Sequence, residues 1–166
     1  MKHLLSAMIL VLFVISYGMA QDASAAQPAA PEVSVDAEQT SPLEVLDWMV
    51  GTWVDQGEKS IVTTKCSWTK NRKFLTRSFR IMIEGQLSLE GTQFIGWDPI
   101  AKRIRSWNFD SEGGFGQGRW IRDGNKWLVK MSFVLASGER ASSLNVITYV
   151  DQDTLRWQSI DREIAG

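Results

Sequence analysis

The chain has 166 residues carrying 18 basic and 19 acidic side chains, with Cys66 its only cysteine and His3 its only histidine. That balance gives no electrostatic footprint for nucleic acid or for an anionic membrane surface, and one cysteine excludes an internal disulfide. Stability must therefore come from packing alone.

The first segment, MKHLLSAMILVLFVISYGMA, has a basic start at Lys2, an apolar run from Leu4 to about Tyr17, and small residues Gly18 and Ala20 before Gln21. This is the pattern of a secretory signal peptide over residues 1–20, cut before Gln21, and it predicts export to the periplasm or the extracellular space. The apolar run is shorter than the roughly 20 residues a membrane helix needs, so no stable span is expected after cleavage. His3 leaves with this segment. The exported chain then has no histidine, which excludes Ser-His-Asp and Cys-His nucleophiles, histidine-bound zinc and a histidine-ligated haem iron.

Residues 21–40 are rich in alanine, proline and acid without hydrophobic periodicity, as in DASAAQPAAPEVSVDAEQT. The composition predicts a flexible tether. Past it, residues 41–166 form one domain of about 125 residues, large enough for a single core.

That domain opens with SPLEVLDWMVG. Ser41 is placed to cap a short helix, with Pro42 at its first position and Glu44 three residues after the cap, and Gly51 stops it. Leu43, Leu46, Trp48, Met49 and Val50 supply its apolar side, with i, i+3 and i+6 spacings among them. Beyond Gly51 the period switches to two, and turn signals such as DQGE, KNRK, WDPIAK, DSEGG, RDGN and ASGE recur along the chain. Between the turns lie about nine strands, from GTWV through FLTRSFRIMI and LSLEGTQFIGW to TLRWQSI. Short links between successive strands make each pair antiparallel, so the expected fold is mainly β, an up-and-down meander barrel with the helix as a cap. A flat sandwich is the alternative.

The helix followed by Gly51-Thr52-Trp53 is similar to the G-x-W signature of lipocalin-like (calycin) barrels. The wider series W-M-V-G-T-W-V, W-T-K-N-R-K-F-L-T-R-S-F, G-T-Q-F-I-G-W-D-P and I-R-S-W-N-F-D-S-E-G-G-F-G resembles an uncharacterised exported bacterial domain found after SnoaL-like domains, over about residues 43–162. The resemblance implies a lipocalin-like fold, and it implies an arginine over Trp53, for which Arg156 and Arg162 are the candidates. It supplies no catalytic residues. The tether is too short for a SnoaL-like domain, and relatives continue past the position of Gly166, so a C-terminally truncated, open barrel stands beside a closed one.

The glycines of GGFGQG, residues 113–118, do not fit a phosphate loop: the spacing is wrong for a dinucleotide fingerprint and no Gly-Lys-Ser/Thr follows. Gly114, Gly116 and Gly118 instead alternate with Trp120 onto one strand face. Either neighbouring side chains such as Trp107, Phe109 or Trp127 fill that space, or it floors a ligand cavity. The second reading predicts an exported barrel binding a small apolar or aromatic molecule. Its candidate site joins Gly116 and Gly118 to an aromatic wall of Trp97, Trp107, Phe109 and Trp120, with Gln93, Arg105, Asn108 and Gln158 as orienting polar groups.

Two other classes remain: a protein-interaction or accessory domain without a ligand, and an enzyme working through Asp98, Asp110 and Glu112. Asp98 precedes Pro99 and reads as turn chemistry. Asp110-Ser111-Glu112-Gly113 lacks the ligand series of a calcium loop. No catalytic motif, metal site or cofactor is expected, the oligomeric state is left open, and Cys66 reads as a small buried hydrophobe.

Overall fold

The computed structural model describes residues 41–165. The signal peptide and tether expected over residues 1–40 lie outside them. A short 3-10 helix, Glu44–Met49, leads into nine strands: β1 Gly51–Gln56, β2 Ser60–Trp68, β3 Phe74–Ile83, β4 Gln86–Asp98, β5 Arg103–Asp110, β6 Phe115–Asp123, β7 Lys126–Val134, β8 Arg140–Asp151 and β9 Thr154–Ala165. Each strand pairs antiparallel with the next, in one sheet ordered β1 to β9. The fold is the expected up-and-down meander, curled into a half-barrel. Its edge strands β1 and β9 are not hydrogen-bonded to each other, so the curl does not close.

The helix is narrower than an α-helix for a reason visible in its sequence. Leu43, Leu46 and Met49 are spaced by three, which eclipses them on one face of a helix with three residues per turn, and all three are buried. The expected cap is displaced: the helix begins at Glu44 with Leu43 at its N-cap and no side-chain cap bond, so Ser41 and Pro42 form the turn before it. Glu44 Oε1 accepts from the Ser41 N–H at 3.1 Å, and Ser41 Oγ accepts from the Leu43 N–H at 3.4 Å. Gly51 then takes a φ of +142°, a conformation that favours glycine, as the chain turns into β1.

The helix plugs one end of the half-barrel. Its three apolar residues pack with Cys66, Leu75, Ile95, Ile104, Trp120, Trp127, Val129, Met131 and Ile147, all on the concave face. Asp47 ties it to the near side, accepting from the Trp68 indole at 2.7 Å and pairing with Arg72 at 3.6 Å, while Arg72 lies 4.8 Å over the Trp68 ring. On the far side Trp48 packs on Tyr149 of β8 at 5.4 Å. The implied arginine over Trp53 is not found; the Trp53 indole instead donates to the Met49 carbonyl at 2.8 Å, locking the helix end to β1. Arg156 and Arg162 lie on the exposed edge strand β9.

Candidate functional site

Directly paired residues of an antiparallel sheet project to the same face. One such row crosses the concave face: Cys66 opposite Arg77, Arg77 opposite Gln93, Gln93 opposite Asn108, Asn108 opposite Gly116 and Gly116 opposite Phe133. On its plugged side lies the apolar core. The row itself is polar at its centre, and this transition defines the candidate site.

Register divides the ten residues expected to form a ligand site. Gly116, Gly118, Trp97, Trp120, Gln93 and Asn108 share the concave face, as their pairings with Phe133, Met131, Ile104, Val129 and each other require. Trp107, Phe109 and Arg105 project from the convex face, because β5 turns Ile104, Ser106 and Asn108 inward and alternation sends the residues between them outward. Gln158 is also convex, since its neighbour Trp157 faces inward opposite the buried Ile147. The ten therefore do not form one wall.

The glycine strand is covered. A Cβ on Gly116 would collide with the Phe133 ring and lie 2.6 Å from the Ser132 carbonyl, and one on Gly118 would lie 2.6 Å from both Met131 Sδ and Ser106 Oγ. Neighbouring side chains fill the space, but they are Phe133, Met131 and Val129 of β7 rather than Trp107, Phe109 or Trp127. The same device recurs elsewhere, with Phe79 over its cross-strand partner Gly91 and Phe74 over Gly96. Large aromatic rings thus lie over bare backbone on both faces. Trp120 belongs to the core, edge-on to Trp127 at 6.0 Å with its indole donating to the buried Ser106 hydroxyl at 3.0 Å.

At the centre of the concave row two acceptors lack donors. Gln93 is 1% exposed and its Oε1 has no hydrogen-bond partner, and Asn108 Oδ1, on the adjacent strand, has none either. A buried polar atom left unpaired costs about 1–3 kcal/mol, so two side by side mark a place the fold does not satisfy by itself. Beside them is Arg77, which the sequence reading did not select. Its guanidinium carbon lies 4.1 Å over the ring of Trp157, six strands away, and 5.5 Å from the Phe79 ring. Burial pushes its pKa down to about 10, partly offset by Cys66, so it remains charged at neutral pH. The signal for Arg77 was present: in FLTRSFRIMI it sits in phase with Leu75 and Phe79, an inward position on an amphipathic strand.

Cys66 is inert in this setting. Burial pushes its thiol up to about 11, against the lowering influence of Arg77 and the Ser67 backbone, so the thiolate is scarce at neutral pH. The acids considered for catalysis do not converge. Asp98 Oδ1 accepts from the Ala101 and Ile100 backbone at 2.9 and 3.1 Å, and Asp110 Oδ1 accepts from Gly114 and Glu112 at 2.8 and 3.1 Å. The Ala101 bond leads the contacts that hold the Asp98 carboxyl below its usual range, with Arg105 adding to them. Asp98 ends β4 opposite Arg103, and Asp110 ends β5 opposite Gly91, so the length of the β4–β5 pair, at about 3.3 Å per residue, separates them by roughly 20 Å. Each organises a turn.

The convex face carries a second feature. Phe94 pairs with Trp107, and Phe109 with Phe115; Phe94, Phe109 and Phe115 are 40%, 53% and 52% exposed. Beside them, between β2 and β5, an open depression of about 550 Å³ is bordered by Lys65, Arg80, Glu90 and Phe109, and a salt bridge between Arg80 and Glu90 at 3.0 Å crosses it. Among the described residues no helix is long and apolar enough to cross a membrane. In comparisons with known proteins, no family model matches the chain and no curated protein matches it.

Proposed function

We propose that this chain is an exported, lipocalin-like half-barrel that binds a small apolar or aromatic molecule on its concave face, beyond the helix plug. The observation that carries the reading is the unpartnered, fully buried Gln93 Oε1 beside Asn108 Oδ1. Apolar walls with a few placed polar groups are what ligand sites use, and here Phe79, Phe133 and Trp157 supply the walls. Export rests on the signal-peptide pattern of residues 1–20, and the lipocalin-like family on the sequence resemblance together with the meander and helix plug.

Titration with N-phenylnaphthylamine, a neutral dye that brightens in apolar sites, tests the reading. Binding that weakens in Phe133→Ala and Trp157→Ala but not in Phe109→Ala supports a concave ligand site. Binding lost only in Phe109→Ala would move the site to the convex face.

The convex aromatics favour a second reading, an accessory domain that meets a protein partner through Phe94, Trp107, Phe109 and Phe115. Contiguous exposed aromatics are enriched at such surfaces. Self-association or partner capture abolished by Phe109→Ser with Phe115→Ser, with dye binding intact, would support it.

A further inference from the structure

The concave site contains a cation without a counter-charge. Arg77 faces inward between Cys66 and Gln93, and its one side-chain hydrogen bond, to Thr64 Oγ1, is 3.5 Å long, the outer limit of such a bond. The ion pairs among the described residues use Lys59, Arg72, Arg80 and Arg105, none of them Arg77. Arg77 is half-buried, and charges taken even partly out of water are ordinarily paired; its guanidinium offers five N–H donors in one plane. Its central carbon lies 4.1 Å over the Trp157 ring, a contact that leaves those donors without a carboxylate partner. Next to this unpaired donor set stand two unpaired acceptors, Gln93 Oε1 and Asn108 Oδ1.

The two deficits are complementary. An anion would satisfy Arg77, and an N–H or O–H donor would satisfy the amides. The row places all three on adjacent strands, β3, β4 and β5, about 5 Å apart from strand to strand, within the span of one small molecule. We propose that the concave site takes a flat, apolar carboxylate that also carries a hydroxyl or amine donor. Arg77 binds the carboxylate edge-on, Gln93 and Asn108 accept from the donor, and Phe133 and Trp157 hold the apolar body.

The inference rests on the reading of the concave face as a ligand site. It names a carboxylate rather than a phosphate because the row supplies a single positive charge. Lys65 neighbours the inward Cys66 on β2 and so projects to the other face. A phosphate monoester carries close to two negative charges at neutral pH, and one would stay uncompensated. A planar carboxylate also matches the guanidinium fork.

Isothermal titration of the exported chain with hydroxynaphthoate, naphthoate, naphthol and naphthyl phosphate separates the contributions. Hydroxynaphthoate should bind at least about tenfold more tightly than naphthol, the scale of one charge-assisted contact. Arg77→Met should abolish that advantage and leave naphthol within about twofold, and Gln93→Leu should abolish the advantage of hydroxynaphthoate over naphthoate. Arg77→Met is checked for its fold by near-ultraviolet circular dichroism. Should it not fold, Asn108→Asp serves instead, because a carboxylate placed beside the ligand's own should weaken naphthoate, which does not use the Asn108 acceptor, by about tenfold. Naphthol binding as tightly as hydroxynaphthoate overturns the carboxylate assignment and leaves the ligand site standing. Naphthyl phosphate binding most tightly also overturns it. If none of the four binds while the chain is folded, the ligand-binding reading fails and takes this inference with it.

Discussion

The Arg77 guanidinium on β3 lies 4.1 Å over the Trp157 ring on β9. Between those strands the sheet runs through five others, so the contact spans the open side of the half-barrel and measures how far the sheet has curled. The arginine that the family resemblance implies over Trp53 is not this one: Arg77–Trp157 is one of several arginine–tryptophan contacts, with Arg72–Trp68 and Arg122–Trp127 among the others. The attraction is worth about 0.5–2 kcal/mol depending on burial, and it opposes the desolvation that holds the Arg77 pKa down at about 10.

These opposed effects predict unequal results from the two ends of the pair. Trp157→Leu removes the nearer ring and leaves Arg77 its weak Thr64 bond and the more distant Phe79 ring, so it should lower unfolding free energy by about 2 kcal/mol. Arg77→Met removes a desolvated charge and keeps the packing, so it should change stability by less than about 1 kcal/mol in either direction. Urea denaturation of both variants and the double variant measures the coupling. A loss of several kcal/mol in Arg77→Met alone would show that the arginine is structurally paired.

Gly116 provides a sharper steric test. An added Cβ meets the Phe133 ring and lies 2.6 Å from the Ser132 carbonyl, which is backbone and cannot swing away. Gly116→Ala should therefore destabilise by about 1–3 kcal/mol, the range for overpacking, although glycine to alanine is ordinarily favourable within a strand. Phe133→Leu in the same chain should recover part of the loss but not all of it. Equal stability of Gly116→Ala and wild type in urea would mean that the strand is open above Gly116.

All nine strands were legible in the sequence because turn residues and period-two alternation are local signals, and the spacing of Leu43, Leu46 and Met49 marked the plug. What was less legible followed from register. The candidate site joins Asn108 as a polar group to its neighbours Trp107 and Phe109 as wall, yet adjacent residues of a strand face opposite ways. The aromatic content invited that grouping, since tryptophan and phenylalanine read as core, while here Phe109 and Phe115 pair on the convex side. The rings over Gly91, Gly96 and Gly116 come from neighbouring strands, so only the pairing reveals them. Trp157 meeting Arg77 depends on the curl of the whole sheet, which no local pattern encodes.

The helix plug carries much of the core. Leu46 is 0% exposed and belongs to a buried cluster drawn from β2 through β8. Leu46→Ala should lower unfolding free energy by about 2–5 kcal/mol through lost transfer energy and a residual cavity. Asp47→Ala, which removes a partner of Trp68 and Arg72 at a half-exposed position, should cost about 1 kcal/mol. Thermal or urea unfolding of the two variants checks the order; a larger effect from Asp47 would mean that the helix is held by its polar clasp more than by its buried face.

Cys66 predicts a pH dependence of definite sign. Its thiol has a pKa near 9.0 when unfolded and about 11 when folded, burial being the main cause. Between about pH 9 and 10 the folded chain keeps a proton that the unfolded chain releases, so stability should fall as pH rises, by at most about 1.4 kcal/mol per pH unit. Below the unfolded value the contribution is fully present, and no change is expected from this group. Above about pH 10 the depressed Arg77 pKa acts oppositely, because the unfolded chain then holds the extra proton and stability is regained as pH rises. Urea unfolding at about pH 8, 9 and 10 should show the decline in wild type and a flatter profile in Cys66→Ala, whatever that variant loses in packing. In the native chain iodoacetamide should label Cys66 slowly at about pH 8 and quickly only after denaturant is added. Rapid labelling of the folded chain, or an identical alkaline slope in Cys66→Ala, would contradict a thiol held neutral by burial.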